Sequence, residues 1–261
     1  MKTPLHYQIS EYDCGPTTMM NAMSFLFTRE QLLPEIVQHI MLYSLDAYNA
    51  KGETGRSGTS RMAMMFLSNW LTQFGKACQF PIACKYLSQD AVYLGGDSEL
   101  TQTLRCYGAV IVRLNYGGDH YVLLTEQEGE QVSMFDPYFR KRPFIQEDIA
   151  LIDSEPFKRN RIVTIERLNA KQKDGLYALG PKEGREAILL FNQNTRLTEE
   201  KTIEYFISDI AKSPADVSWG FCGLCCFYVL QQFRCIFADR SADFPLKQLF
   251  QRLFYGLSVF R

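Results

Sequence analysis

Apolar positions in the first hundred residues recur mostly at helical spacing and are separated by short polar stretches. Helices are predicted over residues 17–27, 29–43, 60–74 and 98–107. Pro16 fits the first turn of the first helix, where the missing N–H of proline costs nothing. Glycine and serine are dense over residues 52–59, which indicates a loop. We therefore expect a mostly helical lobe at the start of the chain.

Beyond residue 108 the helical pattern gives way to short runs rich in β-branched and aromatic residues. Strands are predicted at residues 109–114, 121–125, 131–135, 161–167 and 186–191. Glu128-Gly129-Glu130 fits a hairpin loop between the second and third of these strands. Helices followed by an antiparallel sheet predict an α+β fold. Helical spacing returns at 198–211 and 244–260, so we expect a main domain over residues 1–195 and a helical C-terminal extension over residues 196–261.

The composition is that of an ordinary globular protein, with 46% hydrophobic and 22% charged residues. A formal net charge of -1 provides no electrostatic reason to expect a nucleic-acid partner. The basic clusters at 140–142 and 158–161 are predicted to be solvated surface. No apolar run matches a signal peptide or the roughly 18 residues of a membrane span. We therefore expect a cytoplasmic protein whose eight cysteines are free thiols.

The three histidines are informative because a cysteine nucleophile needs a base, which is usually an imidazole. His39 lies within a helical stretch and His6 in the N-terminal segment, so both are expected to be structural. His120 follows a Gly-Gly-Asp turn and opens a predicted strand. Such a position presents a side chain at the end of a sheet. His120 is therefore the candidate base.

Asp136 follows the strand that returns from the predicted hairpin. With a loop of two or three residues around Gly129, Asp136 lies opposite a residue in the range 120–122. Direct or diagonal neighbours on one face of a sheet lie roughly 5 to 8 Å apart. Asp136 could then accept a hydrogen bond from the His120 imidazole and fix its tautomer. The alternative is a simple turn at the end of the strand, which Pro137 would also explain.

Cys14 lies immediately before the first predicted helix, with Gly15 allowing close approach. Unpaired N–H groups and the positive end of the helix dipole favour a thiolate there. Gln8 offers an amide donor that could join the Cys14 backbone N–H in an oxyanion hole, although a polar surface residue is the alternative. Small buried core residues are expected instead for Cys78, Cys84 and Cys106.

Four motifs together resemble the double-glycine leader peptidase family, a bacterial branch of the papain-like cysteine peptidases. They are Gln8, Asp13-Cys14-Gly15-Pro16, Asp119-His120-Tyr121-Val122 and Phe135-Asp136-Pro137-Tyr138. The resemblance spans about residues 5–168. It implies a papain-like fold in which Cys14 is the nucleophile, His120 the general base and acid, and Asp136 its orienting partner. It also implies Gln8 in the oxyanion hole and a peptide or protein substrate.

Leader-processing members of that family are usually fused to a membrane exporter and an ATP-binding domain. This sequence contains no membrane span and no phosphate-binding GxxxxGK[ST] loop, so it is similar to the stand-alone branch. The leading hypothesis is peptide-bond hydrolysis, with glycine-containing peptides as the first substrates to try. The alternatives are a catalytically silent module that binds leader-like peptides and a papain-like acyltransferase. Cleavage sequence and oligomeric state stay open.

Four further cysteines lie within fourteen residues near the C-terminus: Cys222, Cys225, Cys226 and Cys235. The Cys222-x-x-Cys225 spacing occurs in zinc sites and redox pairs. No histidine lies near, and the surrounding stretch is apolar and aromatic. Buried thiols in a packed helix are therefore expected, with no metal and no cofactor.

Overall fold

The computed structural model describes residues 1–172 and 175–194. The α-helices of this part of the chain are Cys14–Leu26 (α1), Pro34–Tyr43 (α2), Arg61–Cys78 (α3), Glu99–Arg105 (α4) and Ile165–Asn169 (α5). The strands are Ile82–Ser88 (β1), Ala109–Asn115 (β2), Asp119–Glu128 (β3), Gln131–Phe135 (β4), Ile149–Leu151 (β5), Arg161–Thr164 (β6) and Glu186–Asn192 (β7). The predicted C-terminal extension, with its helices and four cysteines, lies outside the described residues.

The strands form one sheet in the order β1-β7-β2-β3-β4-β6-β5, and every pairing is antiparallel. Alternate residues of the central strands point into two separate cores. Ile111, Leu123 and Ile188 pack with α1, α2 and α3 on one face. Val112, Val122 and Leu189 pack with α4 and α5 on the other. The predicted α+β fold, with N-terminal helices packed on an antiparallel sheet, is confirmed.

The first hundred residues are less helical than predicted, because Ile82–Ser88 forms the edge strand β1. This strand pairs along its whole length with β7, which follows about a hundred residues later in the chain. Its burial pattern lacks the clean alternation that marks a half-buried strand. Long-range pairing, rather than local pattern, therefore determines this element. The short strand β5 was not predicted either.

Two predicted elements have different ends because of a single residue in each. The second helix begins at Pro34 rather than residue 29, since proline is favoured in the first turn and disfavours helix in the residue before it. The strand predicted at 161–167 ends at Thr164. The Thr164 hydroxyl accepts a hydrogen bond from the Arg167 N–H and so caps α5. In both cases the chemistry of a helix start overrides the apolar pattern.

Helix α1 is fixed against the sheet by buried polar contacts. The Thr18 hydroxyl donates to the Tyr121 carbonyl at 2.9 Å, across the helix–sheet interface. Asn21, which is fully buried, bonds both the N–H and the carbonyl of His6, at 2.7 and 2.8 Å. These contacts set the start of α1 opposite the start of β3, and they hold the N-terminal segment beside the helix.

Gly15 allows a loop to approach the first turn of α1 more closely than any other residue would. A Cβ at this position would lie 2.3 Å from the Thr59 Oγ1 and 2.6 Å from the Thr59 Cβ. Both distances are far below van der Waals contact, and rotation of the threonine side chain cannot relieve the second one because it leaves the Thr59 Cβ in place. The loop that contains Thr59 therefore closes over the start of α1 because residue 15 is glycine.

We expect the Gly15→Ala substitution to lower the free energy of unfolding by about 1 to 3 kcal/mol, the usual cost of overpacking. Urea denaturation followed by far-ultraviolet circular dichroism measures the change. The matched control is Gly184→Ala, because a Cβ at Gly184 meets nothing within 4 Å. Adding Thr59→Gly to Gly15→Ala should restore most of the loss. Equal stability of the two alanine variants would contradict the steric explanation.

Candidate active site

A β-bulge determines which side chain of the β4 end faces His120. Near the hairpin, β3 and β4 pair as Glu128↔Gln131, and this register would place Asp136 opposite Leu123. The register shifts by one residue between Leu124 and Glu126, so that Leu123 pairs with Phe135 instead. Asp136 then lies beside Val122 and on the same face as His120, because side chains alternate along a strand.

The imidazole and the carboxylate are in direct contact. His120 Nε2–H donates to the Asp136 Oδ1 at 2.7 Å, so the two residues that the sequence placed on neighbouring strands lie side by side. Burial favours neutral His120, but its hydrogen bonds with Asp136 and Cys14 and the charges of both groups outweigh it and raise the pKa of His120 to about 9. Burial also opposes ionisation of Asp136, but the hydrogen bond and charge of His120 prevail and lower its pKa. The imidazolium is therefore the favoured form of His120 at neutral pH.

Cys14 is the first residue of α1 and lines the same hollow as His120, whose pKa it helps to raise. Because His120 Nε2 is engaged by Asp136, Nδ1 is the ring nitrogen available to the sulfur. The Cys14 side chain is only 6% exposed, but it borders two adjoining hollows in the surface. We refer to these two hollows together as the cleft.

The two ends of the cleft differ in their lining. The larger hollow, of about 460 Å³, lies on the side of the 57–61 loop and includes Arg61 and Arg113. The smaller one, of about 260 Å³, lies on the side of His120 and is lined by Gln8, Tyr138 and the Gly117-Gly118 turn. Cys14, Glu11 and Asp119 border both hollows. An extended chain lying in the cleft would therefore pass over the Cys14 sulfur.

Asp13 organises the loop that leads into Cys14. Its carboxylate accepts hydrogen bonds from the Ile9 N–H at 2.9 Å and from both the N–H and the hydroxyl of Ser10 at 2.7 Å. Partial burial raises the pKa of Asp13, but these hydrogen bonds outweigh it and lower the pKa. The loop is thus closed by an ionised carboxylate immediately before Cys14.

A backbone hydrogen bond to the segment that follows Asp136 holds Gln8 beside the cleft. Its N–H donates to the Pro137 carbonyl at 2.9 Å. The side-chain Nε2 donates one hydrogen to the Ser10 carbonyl at 2.7 Å, which leaves its second hydrogen available. Gln8 lines the same hollow as Cys14 and His120. The structure therefore brings together all four residues that the sequence selected.

A buried polar cluster behind Asp136 was missed by the sequence analysis. The Tyr177 hydroxyl donates to the Asp136 Oδ2 at 2.5 Å, and Arg161 Nε donates to the Tyr177 oxygen at 3.3 Å. Asn160 brackets the Asp136 main chain, with contacts of 2.8 Å to its N–H and its carbonyl. Arg161 is 1% exposed, so its assignment to a solvated basic cluster was wrong. Strand alternation with the buried Val163 could have indicated this.

A second buried carboxylate, Glu186, lies beneath the larger hollow. It accepts hydrogen bonds from the hydroxyls of Tyr86 at 2.7 Å and Tyr121 at 2.6 Å. It also pairs with Arg113 at 3.0 Å. Arg113 and Tyr121 line the cleft beside Cys14, whereas Tyr86 does not. Burial, together with the charge of Glu186, raises the pKa of Tyr121 well above its usual value, so this phenol stays neutral.

The other histidines and cysteines of the described residues lie away from the cleft. His39 stacks on Trp70 with ring centroids 4.2 Å apart, in agreement with its predicted place on a helix. Cys78 and Cys84 are partly buried, and burial raises the pKa of the Cys84 thiol to about 12. Cys106 is exposed, so its assignment to the core was wrong; it is the C-cap of α4.

Neither a metal-binding cluster nor a membrane-crossing helix is found in the part of the chain that the structure describes. There, no three His, Cys, Asp or Glu side chains are grouped so as to hold a metal ion. None of its helices combines the length and the apolar character that a bilayer span requires.

No protein-family model matches the chain, and no curated protein matches its sequence. Several solved structures resemble it at low identity, among them the following three. A double glycine motif protease from an AMS/PCAT transporter, in complex with the leader peptide, is 12% identical with a TM-score of 0.35, over 72% of this chain and 89% of that chain. The peptidase domain of Streptococcus ComA, a bi-functional ABC transporter, is 15% identical with a TM-score of 0.35, over 73% and 98%. That of Streptococcus mutans ComA is 14% identical with a TM-score of 0.32, over 72% and 98%.

Proposed function

We propose that the chain is a cysteine peptidase in which Cys14 is the nucleophile, His120 the general acid and base, and Asp136 the residue that orients His120. The observation that carries the proposal is the 2.7 Å bond between His120 Nε2 and the fully buried Asp136 carboxylate, with Cys14 and His120 lining the same hollow. A thiol beside an imidazole that a buried acid orients, at the floor of a surface cleft, is the arrangement that acyl transfer requires.

In the first half of the reaction the Cys14 thiolate attacks the carbonyl carbon of the bound peptide. A C–S bond forms, and the electrons of the carbonyl double bond move onto its oxygen. When this tetrahedral species collapses, the C–N bond breaks and the leaving amine takes the proton from His120. Asp136 stays ionised and stabilises the imidazolium until that transfer. A thioester and a free amine result.

In the second half water hydrolyses the thioester. His120, now neutral, accepts a proton from a water molecule that attacks the thioester carbonyl. The C–S bond breaks, the acid product leaves, and Cys14 regains its electron pair as a thiolate beside protonated His120. The Asp136 contact holds the ring in one orientation through both halves, so the same nitrogen serves as acid and then as base.

The oxyanion that forms in each half needs hydrogen-bond donors near Cys14. The backbone N–H of Cys14 is one, since the first N–H groups of a helix have no acceptor within the helix. The free hydrogen of the Gln8 amide is the other, on the same side of the cleft as His120. Donors arranged in advance of the reaction stabilise the charge without the cost of reorienting solvent.

We propose glycine-containing peptides as the substrate class. The hollow on the His120 side is the smaller one, and the rings of Tyr116 and Tyr138 form part of its wall. A residue without a side chain fits beside such a wall at least steric cost. This preference also agrees with the resemblance of the sequence motifs to the double-glycine peptidases.

Selective alkylation of Cys14 tests the proposal. At pH 6 an ordinary thiol is well under 1% ionised, whereas a thiolate held by an imidazolium remains reactive. We expect Cys14 to react with iodoacetamide at least about tenfold faster than the exposed Cys106, despite its smaller exposure. Peptide mapping by mass spectrometry measures both rates in one sample. Equal or slower labelling of Cys14 would rule out the proposed nucleophile.

A further inference from the structure

Asp136 is a fully buried carboxylate whose two oxygens both accept strong hydrogen bonds. Oδ1 accepts from His120 Nε2–H and from the Tyr138 N–H, each at 2.7 Å. Oδ2 accepts from the Tyr177 hydroxyl at 2.5 Å. The Tyr177 bond is therefore the one that holds the second oxygen and prevents the carboxylate from rotating away from His120.

Tyr177 is held in this position by an unusual backbone conformation. Its φ angle is 58°, in the left-handed region that non-glycine residues seldom adopt. The Tyr177 N–H donates to the Asn115 carbonyl at 2.8 Å, and the Asn115 N–H donates to the Ala178 carbonyl at 2.9 Å. The hydrogen bonds with the end of β2 thus hold the Tyr177 backbone in a conformation of higher energy. Backbone strain of this kind is found most often at functional sites. The tyrosine side chain is completely buried.

Arg161 supplies a buried positive charge on the far side of Tyr177. Its three hydrogen bonds all end on oxygens without formal charge, those of Tyr177 at 3.3 Å, Asn160 at 2.9 Å and Tyr138 at 3.2 Å. Asp136 is the buried anion that it reaches through the Tyr177 hydroxyl. A buried charge is tolerated only when another charge balances it.

We infer that Tyr177 and Arg161 are positioning residues of the proposed peptidase, which hold the Asp136 carboxylate toward His120 and so stabilise the imidazolium beside Cys14. The inference rests on the proposed function, and it extends the three-residue site to a chain of five groups. Arg161 bonds Tyr177, Tyr177 bonds Asp136, Asp136 bonds His120, and His120 lies beside Cys14 in the smaller hollow.

The charges of the five groups show why Arg161 matters. Asp136 and Arg161 cancel each other, and so do the Cys14 thiolate and the His120 imidazolium. Without Arg161 the same ion pair would leave one uncompensated negative charge in a buried site. The thiolate would then form only at higher pH. The titratable or charged groups that face this chain from neighbouring elements are Glu11, Arg61, Arg113, Tyr116, Asp119, Tyr121 and Tyr138.

The test is the pH dependence of Cys14 alkylation in the full chain. We expect Tyr177→Phe, which keeps the ring and removes only the hydroxyl, to move the midpoint of the acid limb upward by about half a pH unit. The matched control is Tyr86→Phe, which removes a 2.7 Å phenol–carboxylate bond to Glu186 and no contact with Asp136. Its midpoint should equal that of the natural sequence.

Arg161 is tested with two variants. Arg161→Gln should move the same midpoint upward by about one pH unit, while Arg161→Lys, which keeps the charge, should stay close to the natural value. If Arg161→Gln fails to fold, the alkylation midpoint of Tyr177→Phe alone tests the inference. A uniform loss of rate with an unmoved midpoint in Tyr177→Phe would mean a purely structural role and would overturn the inference. Failure of the proposed function would give a different result, because Cys14 of the natural protein would then be alkylated no faster than Cys106.

Discussion

Replacing Cys14 with serine is expected to reduce hydrolysis of a glycine-containing peptide by at least about a thousandfold. A serine hydroxyl does not ionise beside an imidazolium, so the attacking anion would be missing while the cleft and the fold stay intact. Initial rates with a fluorogenic peptide, measured alongside thermal unfolding, separate loss of chemistry from loss of structure.

Cys106→Ser is the matched control, because it makes the same exchange at an exposed thiol in the same sheet-and-helix body. Its rate should equal that of the natural sequence. Turnover that survives in Cys14→Ser would identify another nucleophile. Peptide binding without turnover in the natural protein would instead favour the catalytically silent module. Release of amide products with an added amine would indicate acyl transfer.

Replacing His120 with alanine is expected to lower the rate by about a thousandfold, since both proton transfers are lost. The pH profile provides a second, independent measurement. The pKa of His120 is about 9 in the folded protein, above its ordinary value of 6.5. The proton that the leaving amine needs is therefore present below that pH and is lost as the pH rises through about 9. The alkaline limb of the natural profile should lie there, and His120→Ala should lack it.

His39→Ala controls for the removal of an imidazole as such, because His39 stacks on Trp70 rather than facing the cleft. It should keep both the rate and the alkaline limb. A natural enzyme whose activity continues to rise well above pH 10 would contradict the role of His120 as the acid. The same holds if His120→Ala retains most of the activity.

The local sequence pattern was sufficient to predict those helices and strands whose signals lie within a few neighbouring residues. The return strand of the hairpin, Gln131–Phe135, has the predicted ends, because alternation and the Gly129 turn are both local. Helix α1 forms where predicted, although it begins at Cys14 itself. The candidate base and its carboxylate partner could be selected because few histidines were available and one opened a strand.

Tertiary structure decided the features that depend on residues far apart in the chain. The edge strand β1 exists through its pairing with β7, which no short window contains. Arg161 was assigned to the surface by its basic neighbours, whereas packing buries it against Tyr177. A buried arginine is stable only with partners that satisfy it, and those partners are brought together by the fold.

The sequence alone therefore determined which groups are available for chemistry: a cysteine beside a helix start, one histidine at a strand start, and an aspartate after the returning strand. It did not determine that they meet. A one-residue bulge between Leu124 and Glu126 turns Asp136 to the face of His120, and the Thr18–Tyr121 contact holds α1 opposite β3. The side chains of a strand alternate with a period of two, so a single inserted residue decides which face a carboxylate occupies.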